Sequence, residues 1–219
     1  MLLGWSWDGE QEMFTVPELI EKFSLDRVNN TGAVFDKDKL EWMNGQYLKA
    51  MPLAERVSRV RAFLRETGGE PDAAVVGNVD DFLALATEAV GERLKTLKDV
   101  EGYAGFAFRD PVVVADDALA EFAKRPEGDH RLNALAEAIE GVEVFELEPL
   151  EAAVRALADR MGVKAGDLFF PARVALTGRK VAPGIFEVMR LLGKKRTLER
   201  LRKGAELWAV EHAALRQSS

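Results

Sequence analysis

Residues 35–47 read Phe-Asp-Lys-Asp-Lys-Leu-Glu-Trp-Met-Asn-Gly-Gln-Tyr, a stretch whose pattern predicts an α-helix. Asp36 suits the N-cap position, because its carboxylate can accept hydrogen bonds from the first backbone amides of a helix. Trp42 is expected to be half-buried where two helices meet. The other large apolar side chains recur at helical spacing, which predicts one buried face made of Leu40, Met43, Tyr47 and Leu48.

The same helical spacing continues through nearly the whole chain and predicts an all-α fold. Thr15 suits the N-cap of a helix that opens with Val16-Pro17. A later, long pattern predicts a helix that is capped by Asn78 or Asp80 and runs to Leu97. Residues 142–145 alternate like a strand, but they are too few and too isolated to predict a sheet. Glycine readily adopts the left-handed conformation that closes many helices, so three glycines predict helix ends: Gly162, Gly178 and Gly193.

The composition is that of a folded protein with an acidic balance. The 219 residues include 30 lysines and arginines against 37 aspartates and glutamates, a net charge of -7, and no cysteine. No apolar run approaches the roughly 20 residues that span a bilayer, and no signal segment is evident, so we expect a cytoplasmic protein without membrane contact. Basic residues gather between 179 and 203, where they indicate either a solvated helix face or an RNA-binding surface.

Candidate catalytic groups are few. His130 and His212 are far apart and lack partners at ligand spacing, so the sequence predicts neither a metal site nor a bound cofactor. A glycine-rich phosphate loop is missing, and the paired carboxylates at 80–81 and 116–117 lie where helix caps belong. We therefore expect no catalytic residue in this chain.

Residues 35–47 also resemble the segment that leads from the catalytic half of bacterial glutamyl-tRNA synthetases into their C-terminal anticodon-binding half. Residues 2–23 and the segments 93–98 and 171–195 are similar to the same family. The resemblance implies helical-bundle anticodon-binding domains, an α-helix cage, preceded by the helical end of the stem-contact region. It implies three parts: that end and a hinge at 1–53, a proximal anticodon-binding domain at 54–112, and a distal one with a C-terminal tail at 113–219.

The segment Pro171-Ala-Arg-Val-Ala-Leu-Thr-Gly and the turn that follows it resemble the distal anticodon-binding domain of the family. An arginine on a helix can donate a forked pair of hydrogen bonds to a splayed base, and a proline–glycine turn brings backbone groups close to it. Phe186 either stacks on a base or packs the turn. By the resemblance, the first two anticodon bases would be contacted by Arg173, Ala182, Pro183, Gly184, Ile185 and Phe186.

Arg93 stands in Glu-Arg-Leu-Lys-Thr-Leu-Lys, which matches a family segment whose arginine contacts the third anticodon base, a cytosine. The resemblance therefore implies discrimination between glutamate and glutamine tRNAs. From the spacing alone, the presence of Arg93 is better explained by the helix dipole, which favours an arginine near the end of a helix. Lys39 and Trp42 would belong to an RNA-facing hinge.

The family implies tRNA(Glu) as a partner and the catalytic half of a glutamyl-tRNA synthetase as a second one. That half would ligate glutamate to tRNA with ATP and magnesium, and its two ATP-binding motifs are not found in this sequence. An alternative interpretation of the same fold is a freestanding protein-interaction module that binds no RNA. The acidic balance favours this alternative.

Overall fold

A computed structural model describes residues 4–29, 32, 35–125 and 127–217. Within these ranges the chain is helical and has no strand beyond a single antiparallel bridge between Trp5 and Val28, which confirms the all-α prediction. No helix there is long and apolar enough to cross a membrane. The helices are α1 (Val16–Lys22), α2 (Lys37–Ala50), α3 (Leu53–Glu66), α4 (Ala73–Val76), α5 (Val79–Val90), α6 (Lys98–Ala104), α7 (Asp116–Phe122), α8 (Gly128–Glu140), α9 (Leu147–Met161), α10 (Ala165–Thr177) and α11 (Ile185–Gln217).

Helix ends follow the local chemistry that the sequence offers. The side chains of Thr15, Asp36 and Asn78 each accept a backbone hydrogen bond at the start of α1, α2 and α5. Gly162 and Gly178 close α9 and α10 in the left-handed conformation. These caps confirm the predicted starts and ends, because a cap depends on only a few neighbouring residues.

Helix α2 buries less of its predicted face than expected. Met43 and Leu48 are buried, but Leu40 and Tyr47 are 43% and 40% exposed, so the prediction was wrong for these two. The main core begins at Leu48. The earlier turns of α2 contact the N-terminal residues instead, where the Tyr47 hydroxyl donates to the Phe14 carbonyl at 2.7 Å.

Helix α5 ends at Val90, well before the predicted end at Leu97. Gly91 leaves the helical conformation with φ 52° and ψ -125°, and Leu94 is fully buried beyond it. Helix α2 packs tightly against this segment, since a β-carbon on Gly45 would lie 3.0 Å from the Leu94 carbonyl oxygen. Gly91 thus stops the helix through a positive φ, as Gly162 and Gly178 do, a local signal that the prediction from apolar spacing overlooked.

The hydrophobic core is continuous from Leu48 to Trp208. Its largest helix-to-helix contacts are those of α11 with α8 and α10. Gly193 bends α11 with φ 73° and ψ 165°, as its predicted stop implies. Further along, Gly204 allows α11 to approach α10 closely, because a β-carbon there would lie 2.4 Å from the β-carbon of Ala175. The division into three domains stays a prediction.

Arg200 on α11 is 4% exposed and joins three parts of the chain. Its guanidinium donates to the Leu176 carbonyl at the end of α10, and to the carbonyls of Phe106 and Arg109 at 3.0 Å each. It also donates twice to Asp110 Oδ1, at 2.9 and 2.6 Å. We call this set of contacts the Arg200 joint.

Asp110 also binds a second arginine, whose contacts we include in the Arg200 joint. Arg196, one turn earlier on α11, donates to Asp110 Oδ2 at 2.8 Å and to the Ala107 carbonyl at 3.0 Å. Burial by itself raises the pKa of Asp110, but the hydrogen bonds from Arg200 and Arg196 lower that pKa by more, so it lies below its usual value. The carboxylate therefore stays charged and balances the buried cation.

Replacing Asp110 with asparagine removes this negative charge and keeps the size of the side chain. Because the Asp110 side chain is 36% exposed, solvent screens part of the interaction. We therefore expect the free energy of unfolding at neutral pH to fall by about 1–2 kcal/mol, less than for a fully buried ion pair. The matched control is Glu199→Gln, because Glu199 pairs at 3.9 Å with the exposed Lys195. That control should cost less than about 0.5 kcal/mol. Urea unfolding measures both values.

The effect of Asp110→Asn should also depend on pH in a defined direction. Because the folded pKa of Asp110 lies below the unfolded value of about 3.9, its stabilisation is present above that pH and is lost as pH falls through the folded pKa. The difference in unfolding free energy between wild type and Asp110→Asn should therefore shrink below about pH 4. A difference that stayed constant there would contradict the assigned role.

Candidate nucleic-acid interface

Arg93 ends a short 3-10 turn, Gly91–Arg93, that follows α5. Its side chain is exposed, and its guanidinium carbon lies 5.7 Å from the centre of the Tyr103 ring on α6. In the described part of the chain this guanidinium has no carboxylate partner. A cation over an aromatic face is held by the ring electrons. Arg93 is therefore positioned by Tyr103, and its N–H donors remain available to a ligand.

The Tyr103 hydroxyl links this arginine to the turn before α11. It donates to Glu187 Oε2 at 2.7 Å, and the same oxygen accepts the Gly184 backbone amide at 3.1 Å. Burial and the hydrogen bond to Glu187 raise the pKa of Tyr103 well above its usual value, so the hydroxyl keeps its proton. The structure thus brings Arg93 and Gly184, which are far apart in sequence, to one surface.

The turn that carries Ala182, Pro183 and Gly184 is anchored by Gly178. This glycine closes α10 with φ 72°, and a β-carbon there would lie 2.1 Å from the Val113 carbonyl oxygen, so only glycine fits. Ala182 and Pro183 are half-buried, and Gly184 is exposed. A ligand that approaches the turn would therefore meet small side chains and main chain.

Ile185 and Phe186, which follow the turn, pack against the protein interior. Ile185 is 5% exposed and belongs to the hydrophobic core. Phe186 is half-buried and packs edge-to-face on Phe169 of α10, with ring centres 5.8 Å apart. Of the two interpretations of Phe186, packing of the turn has this direct contact behind it. The RNA contacts assigned to both residues stay predictions.

Arg173 lies one turn after Phe169 on α10, and therefore on the same side of that helix. Its side chain is half-buried. The Nε atom is buried and has no hydrogen-bond partner among the described residues. Burial closes Nε to a ligand, whereas the two terminal guanidinium nitrogens form no hydrogen bond or ion pair within the described residues and can donate to a bound molecule.

The two predicted hinge residues lie on α2. Lys39 forms an ion pair with Glu12, which takes up its charge within the protein. Trp42 is 44% exposed, so the expectation of a half-buried side chain between two helices was wrong. Helix α2 adjoins the segment after α5 through Asn44, whose side-chain amide donates to the Lys95 carbonyl at 2.6 Å. Their RNA contacts stay predictions, and Lys39 could make one only by giving up its ion pair.

The basic stretch between 179 and 203 contains both buried and surface residues. Arg196 and Arg200 belong to the Arg200 joint and lie on no solvated face, so that predicted role does not describe them. Arg190 pairs at 3.0 Å with Glu146 at the surface, as expected of a solvated face. Hydropathy and charge alone did not separate structural arginines from exposed ones.

Sequence reasoning missed Tyr103 and Glu187 as parts of the interface. One signal was present, because Tyr103 stands in an otherwise apolar run, and a buried tyrosine hydroxyl needs a hydrogen-bond partner. The identity of that partner depends on how α6 meets α11. The assembled surface offers free guanidinium donors, an aromatic face and a small-residue turn, a set suited to holding unstacked bases.

Comparison with known proteins agrees with this chemistry. Residues 38–205 match the family model described as an anticodon binding domain. The glutamate–tRNA ligase of Moorella thermoacetica is 36% identical over 214 residues, which cover 97% of this chain and 43% of that ligase. The Thermus thermophilus ligase is 37% identical over 203 residues, covering 92% of this chain and 42% of that ligase.

A solved structure extends the similarity to three dimensions. The chain matches the crystal structure of a glutamate tRNA ligase from Elizabethkingia meningosepticum in complex with its amino acid, with a TM-score of 0.78 and 28% identity. The match covers 94% of this chain and 39% of that one. The chain thus spans about two fifths of the length of the relatives it matches.

The environment of Tyr103 can be tested by its ionisation. The sequence has two tyrosines, so Tyr47→Phe leaves Tyr103 as the only source of tyrosinate absorbance. We expect its titration midpoint to lie above the usual value of about 10, because burial and Glu187 oppose ionisation. Adding Glu187→Gln should lower that midpoint. Circular dichroism at each pH checks that the chain stays folded.

The sign for stability follows from the same shift. Because the folded pKa of Tyr103 is raised, its contribution to stability is complete below about pH 10 and is lost as pH rises through the folded pKa. A midpoint near 10 in the folded Tyr47→Phe protein would show that the hydrogen bond to Glu187 does not form.

Proposed function

Because the chain belongs to the anticodon binding domain family, we propose that it binds the anticodon of tRNA(Glu) as part of a glutamate–tRNA ligase. The observation that supports this is the chain of contacts from Arg93 through Tyr103 and Glu187 to Gly184, which unites two remote segments at one surface. Ligation of glutamate to tRNA with ATP and magnesium would be carried out in the cytoplasm by residues outside this sequence.

The chemistry of Arg93 suits a cytosine at the third anticodon position. An unpaired cytosine presents two adjacent acceptors, O2 and N3, that match the forked donors of a guanidinium. Guanine, the third base of glutamine anticodons, presents one acceptor beside two donors on the same edge. Arg93 would therefore favour the glutamate anticodon, and an arginine–base contact of this kind contributes about 1–3 kcal/mol of discrimination.

Arg173 and the turn at 182–184 would bind the first two bases. The terminal guanidinium nitrogens of Arg173 would donate to a base carbonyl or ring nitrogen, because they have no acceptor within the described residues. The turn has little side-chain bulk, so a base can approach its main chain. Neither group depends on a flexible lysine, which keeps the ordering cost of binding low.

Charge accounting also favours base contacts over phosphate contacts. The net charge is -7, and most arginines of the basic stretch bind carboxylates or carbonyls within the protein. The basic stretch therefore offers few unpaired cations that could displace counterions from the RNA backbone, so the salt dependence of binding should be shallow. Affinity would then follow the anticodon sequence.

A second proposed partner is the remaining part of the ligase, which would cover the apolar face of α1. Val16, Ile20 and Phe23 are 70%, 78% and 42% exposed, and α1 has no buried residue. A seven-residue helix is not stable by itself in water, so this face needs a covering surface. Relatives that align through this region are more than twice as long, so they have further residues that could cover this face. The neighbouring Glu18 and Glu21 are negatively charged, which makes the face unfavourable for RNA.

The central test replaces Arg93 with glutamine. Binding of the protein to tRNA(Glu) and to a copy with guanine at the third anticodon position is measured by filter retention. Wild type should prefer the cytosine form by about tenfold or more, and Arg93→Gln should lose most of that preference, because the forked donors are gone. The two forms should then bind within about threefold of each other.

A matched control is Arg160→Gln, which removes the same charge from an exposed arginine. Arg160 is remote from the candidate interface. Leu147, at the start of α9, lines the same 210 Å³ cavity as Glu187, and Arg160 lies about 20 Å farther along the helix axis. This control should keep the wild-type preference. An unchanged preference in Arg93→Gln, or none in wild type, would refute the proposed role.

The covering surface of α1 is tested separately with Ile20→Glu. Wild type should bind the remaining part of the Moorella thermoacetica ligase in a calorimetric titration, and Ile20→Glu should abolish binding by placing a charge in the apolar contact. Val113→Glu, at a side chain that is 85% exposed, is the control and should bind normally. Binding by Ile20→Glu at wild-type strength would contradict this partner. So would self-association of the wild type that Ile20→Glu abolishes, because the face would then be covered by a second copy of the chain.

A further inference from the structure

We propose that Tyr103 and Glu187 are positioning residues that couple recognition of the third anticodon base to recognition of the first two. This inference rests on the proposed function and adds to it an energetic link between the base sites. Arg93 touches the third base in that proposal, and Gly184 belongs to the turn that touches the others. Neither Tyr103 nor Glu187 needs to contact RNA for the link to operate.

The first step of the link is the stacking of Arg93 on Tyr103. The Arg93 guanidinium lies 5.7 Å from the ring centre, and it is exposed on its other side. A free arginine side chain has many rotamers, and ordering it costs up to about 2 kcal/mol. Stacking on the ring restricts those rotamers before RNA arrives, so the direction of the Arg93 donors follows the position of Tyr103.

The second step is the shared oxygen of Glu187. Oε2 accepts the Tyr103 hydroxyl at 2.7 Å and the Gly184 amide at 3.1 Å. Glu187 stands in the first turn of α11, where a carboxylate that binds the preceding backbone amide also stabilises the start of the helix. One carboxylate thus holds the ring beneath Arg93 and the main chain of the turn.

A third contact ties the same two segments together. Arg179, just after Gly178, donates from Nη1 to the Gly102 carbonyl at 3.2 Å. The residue beside Tyr103 is therefore bound to the segment that leads into the turn. This contact holds the main chain of α6 beside the turn, whereas a displacement of the turn by bound bases reaches the Tyr103 ring, and through it Arg93, by way of the Tyr103 hydroxyl and Glu187.

Coupling of this kind has a measurable consequence. If two base sites share a structural element, the affinity lost by changing both is not the product of the separate losses. We expect wild type to deviate from that product by about fivefold, within the common range for coupled sites. Tyr103→Phe keeps the ring beneath Arg93 and removes only the hydroxyl, so it should bring the deviation down to about onefold.

The experiment is a cycle of four RNAs against three proteins. The RNAs are tRNA(Glu), a copy changed at the third anticodon base, a copy changed at the first two, and a copy changed at all three. The proteins are wild type, Tyr103→Phe, and the control Tyr47→Phe, which loses a hydroxyl that donates to the Phe14 carbonyl at 2.7 Å. Dissociation constants are measured for all twelve pairs.

The outcomes separate coupling from simple destabilisation. A variant that only loosened the fold would weaken all four RNAs by one factor and keep the wild-type deviation. The proposal requires that the deviation vanish in Tyr103→Phe and persist in Tyr47→Phe. Anticodon discrimination that is independent at each base in wild type, or a deviation that survives in Tyr103→Phe, overturns the coupling alone. Equal binding of all four RNAs by wild type overturns the proposed function together with it.

Discussion

The buried guanidinium of Arg200 is the interaction on which the rest of the structure depends. It ties the end of α10 and the loop after α6 to α11 through carbonyl groups and Asp110. A buried cation without a counter-charge would be strongly destabilising, so the position of Asp110 is imposed by it. Because α6 carries Tyr103 and α11 carries Glu187, the Arg200 joint also sets the distance between the two halves of the candidate interface.

This arrangement explains how an acidic protein can serve an RNA-binding role. Basic residues are numerous in the last third of the chain, but many of them hold helices together. The two arginines proposed to contact bases, Arg93 and Arg173, stand over an aromatic ring and in a half-buried position, respectively. A few positioned donors on a surface of little positive charge favour selectivity for bases over general attraction to phosphates.

The sequence allowed prediction of features that depend on a few neighbouring residues. The caps at Thr15, Asp36 and Asn78 and the bend at Gly193 belong to this class. Features that depend on distant segments were not predictable in the same way. The contact of α2 with the segment after α5 is one example, and no local pattern distinguishes the buried Arg200 from its exposed neighbours.

The candidate site shows the same division. Arg93, Arg173 and the turn at 182–186 were located through short motifs that resemble a family. Their union through Tyr103 and Glu187 requires α6 and α11 to meet, and that meeting is a property of the packed core. The resemblance predicted the contact residues, whereas only the fold showed what holds them.

The Arg200 joint has a consequence for how such a protein can change over generations. Phe106, Ala107, Arg109 and Leu176 contribute to it only their carbonyl oxygens, which every amino acid possesses. As far as the joint is concerned, the side chains at these four positions are free to diverge. The joint then requires only three charged residues, Asp110, Arg196 and Arg200, to be retained as a set, whereas Phe106, Ala107 and Leu176 are constrained by their burial in the core.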